Sequence, residues 1–356
     1  MVREYTVIGI MSGTSLDGVD MAACNFKKRE GAWSYRIRHA VTELYSEDWK
    51  AKLAGAHRIS DQDLDRLDRE YGRYLGTLIQ EFCRKHDIHP DLVASHGHTV
   101  FHEPEKGITR QIGSGSEIAG ITDLPVVFDF RSDDVAKGGQ GAPLVPVGDK
   151  LLFYEYDACL NLGGFSNISF DLMGKRRAFD ICPVNIVLNQ IAAGKQKDFD
   201  RDGELGRTGR IDQKLLAGLN NLNYYRQPPP KSLSREWLET EFIPLMERSG
   251  LSPEDLAATV YQHIMIQLLE VFSKYGIKQV LLTGGGALNT YLTNLLKNKS
   301  QTGIIIPGRI LIDFKEALVF AFLGLLRYRN EINCFASVTG ASEDSVAGKL
   351  IKKAPE

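Results

Sequence analysis

Short apolar runs separated by polar turns open the chain. Residues 5–10 and 21–26 are almost entirely apolar, as buried strands are, and residues 35–44 continue the series. The turn between the first two runs is rich in Gly, Ser and Asp. The pattern therefore predicts a meander of three strands at the start of the fold.

A long amphipathic helix is predicted next. Apolar residues recur at three- and four-residue steps from Leu64 to Phe82, which places them on one face of a helix. Ser60 is suited to cap this helix, and Asp63 stands three residues later as in a capping box. Residues 91–95 and 125–128 predict two later strands.

The second half of the chain repeats the opening pattern. Residues 157–162 and 167–170 predict two strands joined by Gly163 and Gly164. We interpret this as a weak internal repeat of strand, glycine turn and strand. Chance is the alternative explanation, because glycine-rich hairpins are common.

Helix signals are clearer towards the end of the chain. A helix is predicted from Ser252 to Tyr275, with Pro253 in its first turn and Gly276 as its stop. The remaining predictions are a strand at 278–282, a turn at 283–287 that opens another helix, a buried helix at 316–329, a mobile hinge or lid loop at 131–141, and an exposed connection at 224–231. Alternating strands and helices indicate an α/β protein with mixed sheets.

Composition and charge restrict the class of partner. The chain has 356 residues, 43% hydrophobic and 25% charged, with a formal net charge of -2. Two domains are expected for this length, and the balanced charge disfavours nucleic acid and anionic membranes. No apolar run is long enough to span a bilayer, and the N-terminus does not resemble a signal peptide. Five scattered cysteines predict reduced thiols and a cytoplasmic location.

Three glycine turns follow predicted strands and indicate a nucleotide. They are 12–18, Gly163-Gly164 and 284–286. Glycine allows the backbone N–H groups to approach a phosphate, and the third turn was expected to open a helix whose N-terminus favours phosphate. Asp17 and Asp20 are candidates to hold Mg²⁺ through water. The motifs of P-loop, Rossmann and protein-kinase families are absent.

Other candidates each have two interpretations. His96, His98 and His102 fit a zinc site, and a zinc-dependent hydrolase is therefore an alternative function; the other interpretation is a polar pocket with local hydrogen bonds. Asp180 is either a general base in a cleft or the cap of the following helix. Arg131 either binds an anion or pairs on the surface.

Motifs along the chain resemble the anhydro-N-acetylmuramic acid kinase family over essentially the full length. The motifs are 9–20 (GIMSGTSLDGVD), 95–102 (SHGHTVFH), 129–131 (DFR), 138–146 (GGQGAPLVP), 161–168 (NLGGFSNI), 283–287 (TGGGA) and 316–317 (EA). The first of them is highly specific.

The resemblance implies the actin–Hsp70–sugar-kinase fold. In that fold two ribonuclease-H-like domains hold ATP in the cleft between them. We expect domain I to comprise 1–130 with 312–356, and domain II to comprise 131–311. The implied activity is ATP-dependent phosphorylation of 1,6-anhydro-N-acetylmuramic acid during cell-wall recycling, with Mg²⁺ and water, in a cytoplasmic homodimer.

The resemblance also implies roles for individual residues. The first hairpin and second glycine turn flank the phosphates, and the third turn lies near the adenosine. The implied nucleotide-binding residues are Ser12, Gly13, Thr14, Ser15, Leu16, Asp17, Gly18, Val19, Asp20, Gly163, Gly164, Gly284, Gly285 and Gly286. The implied sugar contacts are His96, Gly97, Thr99, Asp129, Arg131 and Asn185. Our hypothesis makes Asp180 the base that activates water, and Arg131 the partner of the lactyl carboxylate.

Two positions depart from the family pattern. Cys182 stands where the family has glycine, so a backbone that needs positive φ would be strained there. His98 stands where glutamine is expected, so the sugar contacts there are expected to differ. A non-catalytic ATP-binding sensor of the same fold remains a further alternative, although such a protein would not need Asp180.

Overall fold

The chain forms two compact units. The structure is a computed structural model that describes residues 3–13 and 16–352. The described residues up to Leu152 and from Phe314 onward form the first unit, and Phe153–Asp313 forms the second. Each unit is built on its own mixed sheet.

The sheet of the first unit contains the predicted meander. Its strands are β1 (Glu4–Ser12), β2 (Gly18–Arg29), β3 (Ala32–Leu44), β4 (Leu92–Glu103), β5 (Ile108–Ile112), β6 (Val126–Phe128) and β12 (Lys349–Ile351). Their order is β12-β6-β4-β1-β2-β3, and β5 pairs with β4. The strands β1, β2 and β3 are antiparallel, whereas β4 is parallel to β1 and β6 to β4. The central strand β1 is covered on both faces, because Val7, Ile8 and Ile10 are all fully buried.

The helices of the first unit supply this cover. They are α1 (Glu47–Gly55), α2 (Asp61–His86), α3 (Gly115–Thr122), α4 (Ser132–Ala136), α5 (Pro146–Leu152), α15 (Ala336–Thr339) and 3-10 turns at Ala56–Arg58 and Pro104–Lys106. The predicted cap of α2 is confirmed, since the Ser60 hydroxyl accepts a hydrogen bond from the Asp63 N–H at 3.2 Å. The apolar stripe of α2 is buried, as its spacing predicts.

One helix, α14 (Arg309–Tyr328), contains the boundary between the units. Phe314 has a non-helical φ of -116° and interrupts the helix there. From Ala317 to Leu323 every side chain is buried, which confirms the predicted buried helix. The charged Glu316 stands at the start of this apolar run.

The second unit repeats the topology of the first. Its strands are β7 (Ala158–Leu162), β8 (Phe165–Leu172), β9 (Lys175–Pro183), β10 (Gln279–Thr283) and β11 (Gly303–Ile305), in the order β11-β10-β7-β8-β9. Again three antiparallel strands are followed by two parallel ones. The internal repeat is therefore real, and the two units have the ribonuclease-H-like strand order that the family resemblance implied.

The helices of the second unit surround a single large core. They are α6 (Asn185–Ala193), α7 (Glu204–Thr208), α8 (Gln213–Asn220), α9 (Asn223–Arg226), α10 (Arg235–Trp237), α11 (Ile243–Ser249), α12 (Pro253–Tyr275) and α13 (Thr290–Lys299), with 3-10 turns at Arg201–Gly203 and Gly285–Leu288 and a π-helical turn at Leu238–Phe242. The signals of α12 are confirmed, because Ser252 caps it and Gly276 ends it at φ +64°.

The segment 131–152 differs from the prediction. We expected it in the second domain, but it belongs to the first unit. Two buried interactions hold it there: Thr339 donates a hydrogen bond to Asp134 at 2.7 Å, and Lys315 forms an ion pair with Asp149 at 2.7 Å. The first five residues after Arg131 form α4 rather than a loop.

Two further local predictions were only partly right. A helix does follow the third glycine turn, but the turn itself forms the 3-10 turn Gly285–Leu288, and α13 begins at Thr290 with Asn289 as its cap. The connection 224–231 is not wholly exposed, since Tyr224 is buried and forms part of α9.

Within residues 3–13 and 16–352, every helix is too short or too polar to cross a lipid bilayer.

Candidate active site

The first glycine turn joins β1 to β2. Thr14 and Ser15 lie outside the described residues, so the structure describes only the two ends of the turn. Leu16 has φ +59°, and Gly18 is packed so closely that a Cβ atom would lie 2.5 Å from the Glu43 carbonyl oxygen. The chain therefore leaves the turn through a tightly constrained backbone.

The Ser12 side chain points into the core. Its hydroxyl is buried and lies 2.6 Å from the Tyr45 hydroxyl, which in turn lies 2.6 Å from the Tyr71 hydroxyl. The ring Nδ1 of His98 is 3.5 Å from the same Ser12 oxygen. The Ser12 side chain thus anchors the end of β1, and its hydroxyl is directed into the core.

Acidic side chains follow this turn. Asp17 is exposed and Asp20 is half-buried, and Asp20 Oδ1 accepts a hydrogen bond from the Thr42 hydroxyl at 2.5 Å. Desolvation by the surrounding protein raises the pKa of Glu316, an effect that Lys315 opposes and the Asp20 charge strengthens. Asp20 and Glu316 are therefore electrostatic neighbours. No role was predicted for Glu316, although an acid directly before the apolar run 317–323 was a signal for one.

Arg131 is held from two sides. Its Nε and Nη2 atoms donate hydrogen bonds to Nε2 of His96 at 3.1 and 3.0 Å, and Nη1 donates to the Gly141 carbonyl at 2.9 Å. Burial lowers the pKa of Arg131, whereas Glu316 raises it. His96 itself is buried, and both of its ring nitrogens have partners within the unit, the second being the Gly97 carbonyl. His96 therefore has no ring nitrogen left for the sugar contact predicted for it.

Three other residues of this unit were predicted to contact the sugar: Asp129, Gly97 and Thr99. Each has a place in the backbone structure or in the pairing of β4 with β5. Asp129 has φ +52°, and its Oδ1 accepts hydrogen bonds from Ser132 at the start of α4, while Oδ2 pairs with Lys349. Gly97 has φ +74° and packs against β5. Thr99 lies in the β4–β5 ladder and is half-buried. Asp129 and Gly97 thus stabilise the structure around Arg131.

The three histidines of β4 do not form a metal site. Each has a different partner: His96 lies beside Arg131, His98 beside Ser12, and His102 Nδ1 is 3.2 Å from the Thr109 hydroxyl. Burial lowers the pKa of His98 to about 4. In the part of the chain that the structure describes, no three His, Cys, Asp or Glu side chains are placed to bind a metal together. The zinc-hydrolase alternative is therefore not favoured.

The second and third glycine turns lie side by side in the second unit. They follow β7 and β10, which are parallel neighbours, so both turns emerge at the same edge of the sheet. Gly284 has φ +80°, and a Cβ there would meet Asn161 Oδ1 at 2.4 Å. A Cβ at Gly164 or Gly285 would meet only ordinary contacts, at 3.8 and 3.6 Å. Gly284 is thus required by packing, whereas Gly164 and Gly285 leave room for a ligand to approach the backbone.

Asn185 links these turns to the end of β7. Its side-chain amide donates a hydrogen bond to the Leu162 carbonyl at 3.0 Å, and its backbone N–H donates to Gly163 at 3.2 Å. This residue was expected to contact the sugar. In the structure its amide N–H holds the shape of the second turn.

Asp180 lies within β9, three residues before the strand ends, and is not a helix cap. Helix α6 begins with Val184 as its cap residue and has no side-chain cap. Asp180 is half-buried, and its Oδ2 accepts a hydrogen bond from the Leu233 N–H at 2.9 Å. Oδ1 accepts none from the described residues. Desolvation raises the pKa of Asp180, and the Leu233 N–H opposes this shift.

The segment after α8 holds Asp180 in place. Tyr224 donates a hydrogen bond to the Asp180 carbonyl at 2.6 Å, and the Asp180 N–H donates to the Lys231 carbonyl at 3.2 Å. Residues 224–231 were interpreted as an exposed connection, so this support was not predicted. The pair of tyrosines before the three prolines was the feature of the sequence that could have indicated this support.

Cys182 introduces no left-handed backbone. It lies in β9, is fully buried, and is absent from the positions with positive φ among the described residues. Its N–H and carbonyl both bond to the Ser166 hydroxyl, at 3.1 and 3.0 Å. The strain considered for this departure from the family pattern does not occur.

The full chain matches the family that its motifs resemble. The model of the anhydro-N-acetylmuramic acid kinase family matches residues 5–353. The chain belongs to the anhydro-N-acetylmuramic acid kinase family. It is therefore placed among the phosphotransferases.

Individual relatives agree with this assignment. The anhydro-N-acetylmuramic acid kinases of Sulfurovum sp. and Pseudomonas savastanoi pv. phaseolicola are each 32% identical to the chain, with 98% of this chain and 99% of each relative aligned. Component A of the (R)-2-hydroxyglutaryl-CoA dehydratase of Acidaminococcus fermentans is 14% identical, with a TM-score of 0.45, 90% of this chain and 97% of that chain aligned. That structural likeness is too low for a functional conclusion.

Proposed function

We propose that this protein is the ATP-dependent kinase that opens 1,6-anhydro-N-acetylmuramic acid and phosphorylates O6. The products are N-acetylmuramic acid 6-phosphate and ADP, as peptidoglycan recycling requires. Family membership supports the reaction class. The Asp180 carboxylate supports the water-activating step, because one oxygen is fixed by Leu233 and the other has no described partner.

The substrate explains why a base must act on water. Its O6 is bonded to C1, so there is no free 6-hydroxyl to deprotonate. In the proposed step Asp180 accepts a proton from water, and the water oxygen bonds to C1 on the face opposite O6. The C1–O6 bond breaks with its electron pair on O6. That oxygen then attacks the γ-phosphorus, and the bond to the leaving ADP breaks.

The raised pKa of Asp180 fits this role. A desolvated carboxylate is a stronger base than one in water. The Leu233 N–H limits the shift by stabilising the charged form. The hydrogen bonds to Tyr224 and Lys231 fix the backbone of Asp180, so the orientation of the carboxylate is constrained.

The nucleotide contacts form a separate part of the proposal. We assign the phosphates to the first turn, 12–20, and to Gly163 and Gly164, and the adenosine side to Gly284, Gly285 and Gly286. Gly164 supports the phosphate assignment, because a Cβ there would meet only an ordinary contact at 3.8 Å and phosphate binding by backbone N–H groups needs close approach. Ser12 and Gly284 contribute to the nucleotide site through its structure: Ser12 bonds within the core, and Gly284 packs against the neighbouring turn.

Mg²⁺ is the proposed metal cofactor. Bound Mg²⁺ would neutralise charge on the transferring phosphoryl group. Asp17 and Asp20 would hold it through water, which fits the finding that no described group of three acidic, His or Cys side chains converges on one point. The Thr42 hydroxyl orients Asp20 for this task.

On the sugar side we propose that Arg131 binds the lactyl carboxylate of the muramic acid. Its Nη1 and Nη2 atoms each use one N–H within the unit, so each keeps one N–H without an acceptor among the described residues. A carboxylate is the natural partner for such a pair. We further propose a homodimer with a cytoplasmic location, which the family resemblance implies and sedimentation and fractionation would test.

The reaction is tested by isotope incorporation. The enzyme is incubated with ATP, Mg²⁺ and 1,6-anhydro-N-acetylmuramic acid in H₂¹⁸O, and the product is analysed by mass spectrometry. A 6-phosphate with one ¹⁸O at C1 is expected. Unlabelled N-acetylmuramic acid 6-phosphate in the same water measures spontaneous exchange at C1. ADP formation without labelled sugar phosphate would contradict the proposal.

A further inference from the structure

The tautomer of the buried His96 follows from its two neighbours. Nδ1 lies 2.9 Å from the Gly97 carbonyl oxygen, which can only accept, so Nδ1 carries the proton. Nε2 then has a free electron pair, and it faces Nε and Nη2 of Arg131, which can only donate. The imidazole is therefore a neutral acceptor in this arrangement.

The surroundings keep His96 neutral. Burial, and then the charge of Arg131, lower the pKa of His96 to about 3. The ring is 3% exposed and packs against Phe320, with 4.6 Å between ring centroids. Its position is thus fixed by packing as well as by hydrogen bonds.

A second acceptor fixes the opposite side of Arg131. The Gly141 carbonyl accepts from Nη1, and the Gly141 N–H donates to Asp134 Oδ2 at 2.7 Å. Asp134 is fully buried, and its Oδ1 accepts hydrogen bonds from Thr339 and Cys334. Gly141 is consequently anchored to the core of the unit, and the guanidinium lies between two rigid acceptors.

We propose that His96 is the positioning residue for Arg131: it accepts two hydrogen bonds and thereby directs the remaining N–H groups of the guanidinium at the carboxylate of the sugar. This inference rests on the proposed role of Arg131. His96 does not touch the sugar or the reacting atoms. Its removal therefore weakens sugar binding and leaves nucleotide binding intact.

The test compares four variants with the wild-type enzyme. His96→Leu removes the acceptor, whereas His96→Gln keeps an amide oxygen that can accept from Arg131. Arg131→Ala and the double variant His96→Leu/Arg131→Ala complete a cycle. His263→Leu is the control, because His263 is an equally buried histidine of the second unit that bonds to Tyr225 and Asn220.

The kinetic outcome is specific. His96→Leu should raise the KM for 1,6-anhydro-N-acetylmuramic acid about tenfold, the equivalent of one lost charge-assisted hydrogen bond. The KM for ATP, and kcat at saturating sugar, should change little. His96→Gln should recover most of the loss, and the double variant should bind sugar no worse than Arg131→Ala. His263→Leu should lower stability without raising the KM for the sugar.

The failures can be told apart. If Arg131→Ala raises the sugar KM but His96→Leu does not, the positioning role is overturned and the role of Arg131 stands. If Arg131→Ala leaves the sugar KM unchanged, the proposed sugar contact fails and the inference falls with it.

A spectroscopic measurement does not depend on the folding of His96→Leu. Long-range ¹H–¹⁵N spectra of the wild-type enzyme labelled at histidine, with the His96 signal assigned from His96→Gln, report the state of each ring nitrogen. A protonated Nδ1 and an unprotonated Nε2 between pH 6 and pH 8 are expected. A proton on Nε2 in this range would overturn the inference.

Discussion

The Tyr224 hydroxyl donates a hydrogen bond to the backbone carbonyl of Asp180, with 2.6 Å between the two oxygens. The contact joins α9 to the strand that carries the proposed base, across 44 residues of sequence. Tyr224 is 3% exposed, so the bond is protected from water. Support of this kind fixes a catalytic backbone without contact with the reacting atoms.

Tyr224→Phe should therefore lower both stability and turnover. The Asp180 carbonyl loses its buried donor, and we expect a loss of about 1 kcal/mol in the free energy of unfolding. The kcat should fall several-fold, because the carboxylate is less well oriented. Tyr225→Phe is the matched control, because the hydroxyl of Tyr225 lies 2.9 Å from His263 Nε2 and bonds there instead of to Asp180. A kcat loss of the same size in both variants would contradict the orienting role.

Asp180→Asn should lower turnover by orders of magnitude and retain binding. An amide cannot accept a proton from water at neutral pH, and general-base catalysis contributes about 10²–10⁴-fold in rate. Calorimetric titration should give nearly normal affinities for ATP and for the anhydro sugar. Asp198→Asn, which removes an exposed carboxylate in the same unit, should leave kcat unchanged. Near-normal turnover of Asp180→Asn would eliminate Asp180 as the base.

The Leu233 N–H should influence how kcat/KM depends on pH. Asp180 must be ionised to act, so kcat/KM falls as the pH drops through its pKa, which desolvation has raised. Leu233→Pro removes the N–H that stabilises the carboxylate, raises the pKa of Asp180 further, and should move the acid limb to higher pH. Leu233→Ala keeps the N–H and separates this effect from the loss of the side chain. An acid limb that stays in place in both variants would show that another group governs it.

The positions of several strands were predictable, but the support of the site was not. The runs 5–10, 21–26 and 157–162 are apolar over the length of a strand, so local pattern identified β1, β2 and β7. Asp134 is different: its partners Cys334 and Thr339 follow about 200 residues later. No local pattern records such a contact, and 131–141 therefore appeared to be a loop.

The same distinction applies within the candidate site. Asp180 was proposed as the base because it is an acid near the end of a predicted strand and before a helix. The roles of His96 and Asp129 were assigned to the sugar, yet their polar atoms bond to Arg131, Ser132 and Lys349. Motifs identify which residues belong together, whereas the direction of each side chain depends on packing between strands.

Asp20→Asn should weaken the dependence on Mg²⁺. The amide oxygen can still accept the Thr42 hydrogen bond, so the local fold is retained, but a negative charge for hydrated Mg²⁺ is lost. The Mg²⁺ concentration for half-maximal activity should rise about tenfold, with most of kcat recovered at saturation. Thr42→Val keeps the charge and should give a smaller increase. An unchanged Mg²⁺ dependence of Asp20→Asn would remove Asp20 from the metal site.

The ion pair between Lys315 and Asp149 should dominate the stability of the first unit. Both side chains are less than a tenth exposed, and their charged atoms lie 2.7 Å apart. Lys315→Met leaves the buried carboxylate without its lysine, and we expect a loss of about 3 kcal/mol. Lys315→Met/Asp149→Leu should recover most of it, because an apolar pair costs no desolvation of charge.

Urea unfolding can report on this unit alone. The chain has three tryptophans, of which Trp33 and Trp49 lie in the first unit, so a Trp237→Phe background restricts the fluorescence to that unit. Lys106→Met breaks an exposed pair with Glu103 in the same unit, and it should cost less than about 1 kcal/mol. If Lys315→Met costs no more than Lys106→Met, the buried pair contributes nothing beyond a surface contact, and α5 must be held to α14 by apolar packing such as that between Gly148 and Val319.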